Sequence, residues 1–201
     1  MESELIVVDD SSTDTTAEIA AAAGARVVRA SCRQISAVRN VGARAAGGQA
    51  FVFVDADTTI DADVLRGVLR ALGGGAAGGG AGVRFDEPVP AYARIMIAAT
   101  VWMFARLKLA AGCFVFCTRE AFERVGGFDE RIFAAEEIFF SRALRRQGRV
   151  VVLREKVTTS GRKVRTHSAR EMLRPLWVLA LKGRKALSSR SHLGLWYGPR
   201  R

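Results

Sequence analysis

The stretch FVFVDADTTI, residues 51–60, decides the fold. Phe51 to Val54 carry no charge and alternate aromatic with β-branched side chains, the composition of a strand covered on both faces in an α/β sheet. Asp55 and Asp57 follow at its carboxyl end, the edge of an open α/β sheet where ligands bind. Two carboxylates that close repel each other unless a cation or a donor lies between them. An isolated D-x-D is also what a polar loop gives when Asp57 or Thr58 caps the next helix, so the surrounding sequence has to decide.

Upstream, Leu5 to Val8 repeats the pattern, an apolar run ending in Asp9 and Asp10. Thr15 and Glu18 are spaced as a capping box opening an Ala-rich helix, with Gly24 as its stop. ARVVRA reads as a short strand and ISAVRNVGARAAGG as a small-residue helix. With the 51–54 strand and a helix to about Leu72, the order is β-α-β-α-β-α, which predicts parallel strands joined by right-handed crossovers. GGGAAGGGAG at 73–82 reads as a flexible loop, either a lid or plain solvent-facing chain. A helix is expected after Pro90 to about Leu109, followed by the strand CFVFC, a helix over Thr118–Val125, a turn at Gly126-Gly127, a helix over AAEEIFFSRALRRQG and a last strand RVVVL.

The totals bound the class. The chain has 201 residues, enough for one domain with a substantial core, and is 49% hydrophobic and 25% charged, as soluble globular chains are. Its net charge of +11 is lopsided: residues 161–201 hold eleven Lys or Arg against Glu171 alone, while the rest carries 20 bases and 19 acids. Cys32, Cys113 and Cys117 have no metal-ligand spacing, and an odd number argues against a disulfide framework, which points to a reducing compartment. Cys113 and Cys117 read as small buried hydrophobes. His167 and His192 lack a nearby carboxylate or cysteine in sequence and are not candidates for a base or a ligand. The start has an acidic n-region rather than a secretory signal. Arg106 and Lys108 interrupt the most apolar segment before it reaches the roughly 18–20 residues of a membrane span.

Five elements in order, VVDDSSTD at 7–14, VRNVG at 38–42, FVDAD at 53–57, REAFERVGGFDE at 119–130 and EEIFFSRALRRQG at 136–148, resemble the family 2 glycosyltransferases of the GT-A fold. The resemblance covers about residues 5–155. It implies an α/β domain with a mostly parallel central sheet flanked by helices over 1–160, and it leaves 161–201 as a basic C-terminal extension. It also implies an inverting transfer of a sugar from a nucleotide-diphosphate donor, a UDP-sugar by family frequency, to a hydroxyl on a saccharide or lipid-linked acceptor. Mg²⁺ or Mn²⁺ would neutralise the leaving diphosphate, because such cations take one or two protein carboxylates and complete their shell with phosphate and water.

Carried over residue by residue, Asp57 is the metal ligand, and Asp55 contacts the ribose or shares the metal through water. Asp10 bonds the nucleotide base and Asp9 orients the loop, with Ser11 standing where glycine is common. Arg39 is a candidate for the diphosphate, through a bidentate fork, or else a surface arginine. The acidic pair at the start of a helix becomes Glu136-Glu137, with Glu137 as the base in place of the usual aspartate. Without the other motifs, both acids would simply favour the positive end of a helix dipole. Gly126 and Gly127 fit a turn with positive φ on the acceptor side, and Phe128 fits the core.

The chain opens at what would be the family's second strand. The expectation is therefore a domain lacking the first strand, with an open edge on the neighbouring strand, through a start codon placed downstream in the favoured reading, or as a natural fragment or a degenerate relative that no longer catalyses. In the tail, REMLRPLWVLALKGRKALSSR has the composition of a helix on an anionic membrane. That implies a cytoplasmic protein held peripherally at the membrane; packing across the domain or, less favoured, nucleic-acid binding are the alternatives. Two rivals stand beside the transferase: a non-catalytic scaffold of the same fold, and a sugar nucleotidyltransferase, whose Gly-rich basic loop after the first strand is not visible.

Overall fold

The computed structural model describes residues 2–88, 94–95, 98–99, 102–103, 106–107, 109–110 and 112–162. In chain order the elements are β1 (Ile6–Asp10), α1 (Thr16–Ala22), β2 (Arg26–Ala30), α2 (Ile35–Ala45), β3 (Ala50–Val54), β4 (Thr58–Thr59), α3 (Ala62–Gly73), β5 (Ala76–Phe85), β6 (Phe114–Thr118), α4 (Arg119–Val125), α5 (Glu136–Gln147) and β7 (Arg149–Thr159). The eight described residues between 94 and 107 are helical. Of the basic extension only Gly161 and Arg162 are described, so the membrane-helix reading of the tail lies outside the described residues. No helix among the described residues is long and apolar enough to cross a membrane.

The strands form two sheets. β1 pairs β2 in parallel, while a five-stranded sheet runs in the order β3-β6-β5-β7-β4. Its β5–β7 pair is parallel, but β6 runs against both β3 and β5, and β4 against β7. The sheet expected to be mostly parallel is therefore mixed, because β6 pairs antiparallel with both of its neighbours and β4 antiparallel with β7. β1 and β3 each have one outer edge with no strand partner among the described residues. Val52 and Val54, on β3, are accordingly 37% and 39% exposed.

One helix joins the two sheets. On α2, a Cβ at Gly42 would lie 3.2 Å from the Val8 side chain of β1, while Ala43 packs with Phe51 of β3. The Glu4 carboxylate accepts the amides of Gly47 and Gly48 at 2.6 and 3.1 Å, which ties the start of β1 to the start of β3.

Apolar residues alternate along β6 so that its two faces feed two cores. Phe114 and Phe116 pack with Val64 and Val68 of α3, spaced i, i+4 on one helix face. Val115 and Cys117 pack with Phe122, Phe128, Phe140 and Leu144 under α2, α4 and α5. Fully burying each such side chain stabilises the fold by about 1.5–3 kcal/mol.

The glycine-rich stretch corrects the flexible-loop expectation for 73–82. Residues 76–82 belong to β5, buried between β6 and β7. A Cβ at Gly79 would lie 1.9 Å from the Val151 carbonyl oxygen, and one at Gly78 would lie 2.5 Å from the Phe116 carbonyl oxygen. The glycines allow close approach of neighbouring backbones; they do not supply freedom. Gly79→Ala is therefore expected to lower stability by about 3 kcal/mol, at the upper end of overpacking costs, because the obstacle is backbone in a central strand. Chemical denaturation measures it, and a loss under about 1 kcal/mol contradicts this packing.

The expected capping box on α1 is not formed. Thr15 makes no side-chain cap bond, and Asp14 instead accepts the Thr16 amide at 3.1 Å. A shorter Asx link one residue earlier satisfies the same end of the helix.

Candidate functional site

α2 sets the rim. Its Arg39 reaches Asp55 at the carboxyl end of β3, while its following residues lie against Val8 and Phe51, nearer the starts of β1 and β3. The carboxyl ends of β1 and β3, with Asp9-Asp10 and Asp55-Asp57, thus lie toward the amino end of the same helix.

The capping alternative for the D-x-D does not hold, since Asp61 caps α3 by accepting the Val64 amide at 3.0 Å. The segment after Asp55 is instead pinned by β4. Ser160 donates its amide to the Asp57 carbonyl at 3.1 Å, and Thr58 bonds Thr159 at 2.9 Å. The Asp57 side chain is left exposed and Asp55 half-buried.

Arg39 is 9% exposed and holds the centre of the cluster. It donates to Glu136 at 3.0 Å, to Asp55 at 2.8 Å and to the Gly112 carbonyl at 2.5 Å, and its guanidinium lies 5.3 Å from the Phe128 ring centroid. Burial works against its charge, but Asp55 and Glu136 outweigh that and hold its pKa above the ordinary value. This geometry makes Arg39 a buried bridge between acids. It is not a surface arginine, and its donors face Asp55, Glu136 and the Gly112 carbonyl.

Glu136 is 5% exposed and half of that ion pair, which is more than a dipole effect at a helix start. Glu137 is half-buried beside it. Its pKa is pushed up to about 8 by burial and then by repulsion from Glu136, against the pull of a backbone amide and Arg39. Ala135, just before the pair, has φ of 60°. That left-handed turn aims the acids inward at a cost of about 1–2 kcal/mol for a side chain with a Cβ. Ala135→Gly is expected to stabilise the protein by about 1 kcal/mol in thermal unfolding, with no gain expected if the turn is unstrained.

Gly112 is a site residue that the sequence does not disclose. A Cβ there would lie 3.2 Å from the Glu137 carboxyl carbon. Nothing local in AAGC signals it, since its partners come from α2 and α5. Neighbouring Cys113 is pushed up to about 11, by burial first and then by Asp55, which keeps it a neutral thiol. Cys117 is buried and raised further. None of the three cysteines forms a disulfide.

At the end of β1, Asp9 accepts the Ser12 amide at 3.1 Å, and Ser12's hydroxyl and amide hold it below the usual carboxylate range. Asp10 accepts the Cys32 amide at 2.6 Å. Ser11 takes φ of 63°, so serine occupies the turn conformation that glycine adopts more freely. The structure thus bonds Arg39 to Asp55 and Glu136, with Glu137 near enough to feel their charges. It sets Asp57 beside them, and holds Asp9 and Asp10 on a separate strand of the same rim.

Among the described residues, no group of three or more His, Cys, Asp or Glu could hold a metal ion. Two adjacent carboxylates, Asp57 free of any capping role, suit a hard cation that takes most of its ligands from phosphate and water.

The glycosyl transferase family 2 sequence model matches residues 1–126. The chain belongs to this family. Its fold is the GT-A fold: mannosyltransferase PcManGT from Pyrobaculum calidifontis, in complex with GDP-Man and Mn²⁺, aligns with a TM-score of 0.63 at 19% identity, over 98% of this chain and 56% of that one. S. aureus TarS 1-349 in complex with UDP-GlcNAc aligns at 0.62 and 18% identity, over 96% of this chain and 63% of that one. A mycobacterial protein aligns at 0.57 and 25% identity, over 90% and 65%. This family 2 chain therefore spans less than two thirds of these solved structures. No curated protein matches it.

Proposed function

We propose that this family 2 protein is an inverting glycosyltransferase that moves a sugar from a nucleotide-diphosphate donor, a UDP-sugar in the first instance, to a hydroxyl on a saccharide or lipid-linked acceptor. The observation that carries the proposal is the Arg39 bridge, which fastens the donor-side Asp55 to the acid pair at the start of α5. Solved relatives in complex with GDP-Man and Mn²⁺ or with UDP-GlcNAc support the donor class.

In this reading Asp57, with Asp55 beside it, holds Mg²⁺ or Mn²⁺, which would neutralise charge on the departing diphosphate. Asp10 orients the nucleotide base, with Asp9 and Ser12 fixing its loop. Glu137 removes the proton from the acceptor hydroxyl as that oxygen attacks the anomeric carbon. Arg39 holds Asp55 and Glu136 at fixed spacing, which is worth most where a displacement of about 1 Å is costly. Placement on the cytoplasmic face of a membrane through residues 161–201 belongs to the same proposal.

Asp57→Ala tests it. Calorimetry with UDP and Mn²⁺ is expected to show metal-dependent binding in the parent and at least tenfold weaker binding in the variant. Equal metal-dependent affinity in both removes Asp57 from the donor site.

A further inference from the structure

Gly112 and Glu137 meet where α5 begins. A Cβ at Gly112 would lie 3.2 Å from the Glu137 carboxyl carbon and 3.3 and 3.5 Å from its two oxygens, so the whole carboxyl group faces the bare α-carbon. A methyl group there would crowd it by a few tenths of an ångström.

The backbone on the other side of this contact is fastened at three points. Ala110 donates its amide to the Ser141 hydroxyl at 3.0 Å, and Ser141 is fully buried one turn beyond Glu137 on α5. The Gly112 carbonyl accepts from Arg39 at 2.5 Å, and the Cys113 carbonyl accepts the Asp55 amide at 3.1 Å. Anchors from α5, α2 and the end of β3 thus hold Gly112 in place. Glu137, by contrast, makes no ion pair among the described residues. Its carboxyl end is the softer partner, and it is the part that moves if the contact tightens. Gly112 does not have a positive φ, so its backbone accepts alanine and any cost of that change lies in the contact itself.

We infer that Gly112 is a positioning residue for Glu137: its missing side chain is the space that lets a glutamate, about 1.5 Å longer than an aspartate, bring its carboxyl group up to the acid cluster. The inference rests on the reading of Glu137 as the base. Positions 112 and 137 are then a matched pair, in which a methyl group at the first is compatible only with a shorter acid at the second.

A cycle of four proteins tests it: the parent, Gly112→Ala, Glu137→Asp and the double variant. Thermal unfolding reads the contact without catalysis. Gly112→Ala is expected to lower Tm by about 4 °C in the parent, within the range of overpacking costs, and by less than about 1 °C in the Glu137→Asp background. Hydrolysis of UDP-GlcNAc and of GDP-Man with Mn²⁺ reads the chemistry. Water's oxygen bonds to the anomeric carbon, the bond from that carbon to the diphosphate breaks with its electron pair leaving on the diphosphate, and Glu137 takes the water's proton. Gly112→Ala is expected to lower kcat at least tenfold with the donor KM within twofold, and to cost less than twofold in kcat when Glu137→Asp is already present.

Equal Tm losses in the two backgrounds overturn the inference, whether or not either donor is turned over. So does an equal loss of kcat in both, because the effect of the methyl group then does not pass through residue 137. Coupled Tm losses in a parent that hydrolyses neither donor support the pairing and count against the transferase reading.

Discussion

Glu137→Gln is expected to lower sugar transfer by 10²–10⁴-fold, the usual contribution of a positioned base, while leaving donor binding within about twofold. The amide keeps the shape and fills the same space beside Gly112, but it cannot accept the acceptor's proton. Because burial and Glu136 push Glu137 to about 8, the parent is mostly protonated at neutral pH. Its transfer rate should then climb tenfold per pH unit below that value and level off above it.

The stability of the parent moves the opposite way. A carboxyl whose folded pKa lies above its unfolded value of 4.5 contributes stability that is complete below 4.5 and is lost as pH rises through 8. Glu137→Gln removes that dependence. The variant should therefore be more stable than the parent above pH 8, by about 1–2 kcal/mol once solvent screening of a half-buried group is allowed for. Turnover unchanged in the variant would take Glu137 out of the mechanism, whatever the stability profile shows.

Arg39→Ala should produce the largest stability loss of any single change in the cluster. Removing one partner of a buried pair leaves the other charged and unpaired, at a cost of about 3–5 kcal/mol. For a domain of this length that corresponds to roughly 6–20 °C in Tm. Glu136→Gln in the Arg39→Ala background should recover part of the loss, since the stranded charge is gone. An Arg39→Ala protein that melts within 2 °C of the parent at pH 7.5 would mean that the bridge carries no weight.

Much of the rim was legible because the information is local. An apolar run that stops at acids marks the end of a buried strand, and this placed Asp9, Asp10, Asp55 and Asp57 at strand ends. The double glycine at 126–127 has the positive φ values its sequence demands, and Phe128 lies in the core. The illegible parts depend on distant partners. Arg39 finds its acids 16 and 97 positions away, and nothing in VRNVG distinguishes a clamp from a solvent-facing arginine.

The glycines of β5 misled for a related reason. A run of small residues looks like slack chain unless the neighbouring backbone and Phe116 are already known to occupy the space where side chains would go. Direction within the sheet was hidden too, because an apolar pentapeptide such as FVFCT is the same run whether it lies along its neighbours or against them.

The division of the strands has an energetic consequence. With β1 and β2 joined to the remainder chiefly through one helix and a carboxylate clasp, the chain has two parts, this strand pair and the five-stranded sheet, and the first is expected to open locally at the lower free energy. Asp10 rides on the first and Glu137 on the second. Any molecule that grips both acids at once spends part of its affinity on holding the two parts together, and is expected to slow amide exchange along β1 and β2.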